Sequence, residues 1–153
     1  MRFRSAASAI AAVICLIAVI PLSPGLAQYF VTAGEAKAML YKAIAALKED
    51  EAAALEAFSD GGHGFVDREL YIICFNTKTG KITAPQGTDT DIRTLTDLGP
   101  KFYDAATALK EDGSITTIKY EYPMHSGGEP VSKEMYVTRV RDQGCGTMLF
   151  RAD

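Results

Sequence analysis

Beyond residue 31 the chain takes up a helical rhythm. Thr32-Ala33-Gly34-Glu35 has the form of a capping box, in which the Thr32 hydroxyl and the Glu35 carboxylate satisfy backbone donors left open at a helix start. Met39, Leu40, Ala43, Ile44 and Leu47 follow at the three-and-four step of an amphipathic helix, with Lys42 and Lys48 turned elsewhere. The apolar pattern resumes at Ala54, Leu55 and Phe58. Between the two runs, Glu49-Asp50-Glu51 is either a solvated stretch of one long helix or a short break. Ser59-Asp60-Gly61-Gly62 ends the helical region, because glycine readily takes the backbone angles of a helix terminus.

From Leu70 the pattern becomes that of strands with one helix inserted. Leu70–Phe75 is an apolar, β-rich run, Asn76–Gly80 is turn chemistry, and Lys81–Ala84 folds back as a hairpin. Leu98-Gly99-Pro100 opens the inserted helix, with Pro100 in its first turn. Phe102, Ala105, Ala106 and Leu109 form its apolar side, and Asp112-Gly113 closes it. Ile115–Tyr122, Met135–Val140 and Thr147–Phe150 read as three further strands, with Gly127-Gly128 and Gly144 marking turns. The predicted layout is α+β: a long N-terminal helix, then a five-stranded antiparallel sheet interrupted by one helix.

Residues 1–27 have the three parts of a secretory signal peptide. Arg2 and Arg4 start it, an apolar run from Ala6 to Leu22 follows, and Leu26-Ala27 offers a small-residue cleavage site before Gln28. An uncleaved membrane anchor is the alternative, although the run is short for a bilayer span and contains Pro21. The expected product is a single domain over residues 28–153, periplasmic or secreted. Losing Arg2 and Arg4 takes the formal charge from −3 to −5, and an acidic surface argues against nucleic acid as a partner. Cys15 leaves with the signal, so Cys74 and Cys145 remain. In an oxidising compartment they are a candidate disulfide, with two buried free thiols as the alternative.

Candidate chemistry is sparse. His63 and His125 both lie in glycine-rich loops, and neither sits beside a nucleophile elbow. Gly61-Gly62-His63-Gly64 leads from a helix into a strand, whereas a phosphate loop leads from strand to helix. No metal-ligand spacing is present, so no catalytic residue, metal or cofactor is expected. Strand alternation puts Tyr120 and Tyr122 on one face with Lys119 and Glu121 on the other. Tyr71, Ile73 and Phe75 likewise share a face, as do Lys133 and Met135. Such a face can wall a small-molecule pocket, or its tyrosines can simply pack.

Several segments together resemble the single Cache family of extracytoplasmic sensor domains, in its small exported form. They are the stretch from Thr32 to Leu40, Lys42-Ala43-Ile44, the run from Ala54 to Asp60, Gly64-Phe65, and the run from Asp67 to Ile72. Tyr120-Glu121-Tyr122-Pro123, Lys133-Glu134-Met135-Tyr136-Val137 and Gly144-Cys145-Gly146 complete the set. Tyr122 stands where the family commonly has tryptophan, and Thr88–Pro100 lacks its usual aspartate-glycine-lysine turn. The resemblance implies a PAS-like sheet flanked by a long helix and binding a small molecule, often a short organic acid, on the open sheet face. It implies Lys133 as the partner of a ligand carboxylate, Tyr71, Tyr120, Tyr122 and Tyr136 as walls or hydroxyl donors, and His63 and Phe65 at the rim. Tyr136 is the exception to watch, since alternation sets it opposite Lys133. Because the chain stops at Asp153, no output module is expected on it, and a membrane receptor or sensor kinase is the expected partner. Two rivals stand beside this reading: an interaction or structural domain with a collapsed pocket, and a small hydrolase using His63 or His125.

Overall fold

The computed structural model describes residues 31–122 and 129–150. The signal peptide expected at 1–27, and with it His125 and Gly127-Gly128, lie outside them. Helix α1 spans Ala33–Glu49 and α2 spans Glu51–Asp60. The capping box forms as the sequence predicts: the Thr32 hydroxyl accepts from the Glu35 N–H at 3.2 Å, and the Glu35 carboxylate accepts from the Thr32 N–H at 2.7 Å. The acidic patch is a break. Asp50 closes α1 by donating its N–H to Ala46 at 2.9 Å and opens α2 by accepting from the Ala53 N–H at 3.1 Å. Its extended backbone (φ −147°, ψ 104°) bends the chain so that both helices keep their apolar sides on one core.

The described residues form a six-stranded antiparallel sheet. Its strands are β1 (Val66–Asp67), β2 (Leu70–Asn76), β3 (Ile82–Ala84), β4 (Ile115–Tyr122), β5 (Val131–Val140) and β6 (Gln143–Phe150). They run in the order β1-β2-β6-β5-β4, with β3 also pairing β2. Five strands were expected; the sixth is the two-residue β1, too short to leave a periodic signal. Helix α3 spans Leu98–Ala108, between β3 and β4.

Side-chain alternation gives the sheet two distinct faces. Leu70, Ile72, Cys74, Tyr136, Val140 and Cys145 pack beneath α1 and α2 with Leu40, Ala43 and Leu47. Phe75, Tyr120, Met135 and Val137 turn the other way, toward Phe102 and Ala106 of α3. Two glycines let α3 approach that closely. A Cβ on Gly144 would lie 2.6 Å from the Phe75 ring and 2.9 Å from the Ala106 methyl, and one on Gly146 would lie 2.6 Å from Met135 Cε. Gly144 is therefore not the turn marker the sequence implied. The β5–β6 turn is Arg141-Asp142, with Val140 opposite Gln143 and Arg141 at φ 53°.

Cys74 and Cys145 are bonded across 71 positions of sequence. They are register partners on β2 and β6, buried on the α1 side. Of the described residues, no helix is long and apolar enough to cross a membrane.

Candidate ligand-binding site

On the α3 face the sheet is only partly covered. A cavity of about 790 Å³ lies between the strands and the segment that leads into α3. Tyr71 and Ile73 of β2, Tyr120 and Tyr122 of β4, and Met135 of β5 form its floor. Opposite stand Ile92, the run from Leu95 to Gly99, Lys101 and Phe102. The arrangement follows from strand period: each floor residue occupies the parity that faces α3.

The opposing wall is fixed by a polar clasp at its base. The Arg93 guanidinium donates to the Asp91 carboxylate at 2.9 Å and to the Thr79 carbonyl at 3.0 Å, and stacks 5.0 Å from the Tyr103 ring centroid. The Ile92 N–H donates to the Gly80 carbonyl at 2.8 Å. The Arg93 guanidinium holds the Asp91 carboxyl at about 2. Gly80 sits at φ 78°, and a Cβ there would lie 2.6 Å from the Asp91 carboxylate, so the clasp closes only over glycine. Tyr103 anchors α3 itself, donating its hydroxyl to the Thr77 carbonyl at 2.8 Å.

The three phenols converge closely enough to feel one another. Burial, then the proximity of Tyr71 and Tyr122, pushes the Tyr120 hydroxyl up to about 12. Tyr71 is also raised, by burial first and then by Tyr122, although its side chain remains 40% exposed at the cavity.

Lys133 is buried at 2% exposure, with its ammonium 3.4 Å from the Tyr122 ring centroid and its backbone opposite Tyr120. Burial lowers its pKa, while the Glu69 carboxylate works in the opposite direction. It shares the α3-facing parity of Met135 but is not among the lining residues; the lysine that lines the cavity is Lys101. Sequence reasoning passed over Lys101. The available signal was helical period, because Leu98, Lys101 and Phe102 stand at i, i+3 and i+4 of α3.

Three expected site residues lie on the other side of the sheet. Tyr136 is in the α1-side core, with the Lys37 ammonium 4.9 Å from its ring centroid and its hydroxyl donating to Glu134 at 3.2 Å. Phe65 is buried in the same core, edge-on to Phe58 at 4.5 Å between centroids. His63 is exposed in the turn after α2, where its carbonyl accepts from the Lys42 ammonium. Tyr136 thus does not wall the cavity, and Phe65 and His63 do not close its rim. Strand parity excludes the first, and docking of the α2–β1 turn against α1 carries the other two away. Among the described residues no three of His, Cys, Asp and Glu gather to hold a metal ion.

No family model matches the chain, and no curated protein matches it. Among solved structures, one similar chain is described as the periplasmic sensor domain of a chemotaxis protein. It is 19% identical, with a TM-score of 0.48 over 76% of this chain and 88% of that one. A second belongs to work on carboxylic acid recognition by a Cache chemosensory domain, at 14% identity and a TM-score of 0.47 over 76% of this chain and 86% of that one. In arrangement, the chain is similar to these sensor domains.

Proposed function

We propose that this chain is an extracytoplasmic small-molecule binding domain of Cache type, which holds its ligand between the sheet and the N-terminal end of α3. The observation that carries this reading is the cavity of about 790 Å³ on a sheet face that otherwise packs as a core. That volume is within the range of small-molecule sites, and its apolar walls with a few polar groups match their usual make-up. Tyr71 and Leu95 add support: both are large apolar side chains left exposed, and both line the cavity. An organic acid is the ligand class, with Lys101 and the α3 end supplying the positive side. Tyr71, Tyr120 and Tyr122 wall the site, and Lys133 acts as a positioning residue through its contact with the Tyr122 ring. The expected partner is a membrane receptor or sensor kinase that reads occupancy.

Thermal unfolding of the purified chain against a panel of small organic acids and a cell extract tests this. A true ligand at about a hundredfold its Kd raises Tm by roughly 5–10 °C. A folded protein whose Tm no acid and no extract fraction moves refutes the binding reading and leaves the interaction-domain alternative.

A further inference from the structure

We infer that the ligand is a ring-bearing carboxylate rather than a short aliphatic acid. This rests on the reading that the cavity binds a small molecule, and it concerns which molecule fits. Volume is the first argument. A water molecule's share of the liquid is about 30 Å³, so an acid of four to six heavy atoms displaces on the order of 100 Å³. The cavity is about 790 Å³, and a two- to four-carbon acid would leave most of it wet. Water held there would face Ile73 and Leu98 among its neighbours, neither of which offers it a side-chain hydrogen bond.

The distribution of chemistry is the second argument. Tyr71 and Tyr122 present ring surface from the floor, while Tyr120 and Phe102 line the cavity with little of their rings open to it. Aromatic rings pack best edge-on or offset against other rings, so a flat ring in the guest uses this surface as an alkyl chain of a few carbons does not. On the sheet side the Lys133 ammonium lies against the Tyr122 ring and outside the cavity lining, so the charges that line the cavity are sought on the α3 side. Glu121 lines the cavity, but strand alternation sends its carboxylate the way of Lys119, which pairs with Glu134 at 3.5 Å on the α1 side. That leaves Asp97 and Lys101 flanking the first turn of α3. The helix's positive end adds to Lys101, so the guest's charged end is an anion placed there with its ring toward the tyrosines.

Titration calorimetry on the folded chain decides it, with benzoate and 3-phenylpropionate set against acetate and butyrate, and benzylamine as the charge control. The ring acids are expected to bind at least about tenfold more tightly than butyrate, as the added buried ring area requires. Lys101→Met, on an exposed helix position, is expected to weaken the ring acids about fivefold while leaving benzyl alcohol unchanged. Short acids binding as well as ring acids would overturn the inference yet keep the cavity as a ligand site. So would benzylamine matching benzoate. Silence of all six compounds, with an extract fraction still raising Tm, also overturns the inference alone; silence of the extract as well removes the binding reading beneath it.

Discussion

The Lys133 ammonium lies 3.4 Å from the centroid of the Tyr122 ring, with almost none of the lysine exposed. A cation on a phenol face gains roughly 0.5–2 kcal/mol, but taking the ammonium out of water opposes that gain. Lys133→Met keeps the stem and removes the charge. At neutral pH the variant is expected to unfold in urea within about 1 kcal/mol of the parent. A loss above roughly 3 kcal/mol would instead identify Lys133 as half of a buried ion pair whose partner has been stranded.

Tyr120 titrates late because its neutral hydroxyl is the form the buried site accepts. Its folded pKa of about 12 lies above the ordinary 10.0, so the folded state holds this proton where the unfolded state has lost it. The contribution is whole below pH 10 and is lost as pH rises from 10 toward 12. Ultraviolet titration of the parent should therefore show a phenol that ionises after the exposed tyrosines. Tyr120→Phe should shrink that late step to the part carried by Tyr71 and flatten the alkaline fall in stability. An unchanged titration curve in the variant would contradict the assignment.

Gly99 determines the position of the cavity's outer wall. A Cβ there would lie 2.0 Å from the Ile92 carbonyl oxygen, so Gly99→Ala must push the run from Ile92 to Leu95 away from α3. The expected cost is about 1–3 kcal/mol in denaturant unfolding, as for other overpacked sites. Ligand affinity should fall by more than that loss explains, because the displaced residues are the wall itself. Affinity unchanged at saturating folded protein would place the ligand elsewhere.

The Cys74–Cys145 bond closes a loop of 71 positions. In the chain-entropy picture this stabilises by roughly 4 kcal/mol, subject to native-state strain. Replacing both cysteines with alanine should lower the urea midpoint accordingly, and reducing the parent should reproduce the shift. Midpoints that coincide with and without reductant would show that the cross-link adds nothing to folding.

The capping box at Thr32, the strand parities of Tyr71, Tyr120, Tyr122 and Tyr136, and the α+β layout were all legible in the sequence, because each depends on contacts between near neighbours. The break at Asp50 was legible only as one of two options, since an acidic patch solvates a continuous helix as readily as it caps two. Gly144 was misread as a turn. Its need for a bare Cα arises from Phe75 and Ala106, neither of them near it in sequence. Phe65 was misplaced for the same reason, whereas Lys101 shares the helical period of Leu98 and Phe102 and was legible there. Which side of a sheet a loop or helix covers is decided by docking, and single-strand period carries no record of it.

Cys145 and the two glycines beside it have opposite duties on one strand. One side chain rivets β6 to β2 beneath the paired helices, while the bare backbone to either side seats Phe102 and Ala106 above. The cavity thus has a stiff floor, sewn covalently from below, facing a lip that hangs on Arg93, Asp91 and Thr79. On the proposed binding reading, reshaping around a ligand falls to that lip, which makes the Ile92–Gly99 margin the place where a partner would detect occupancy.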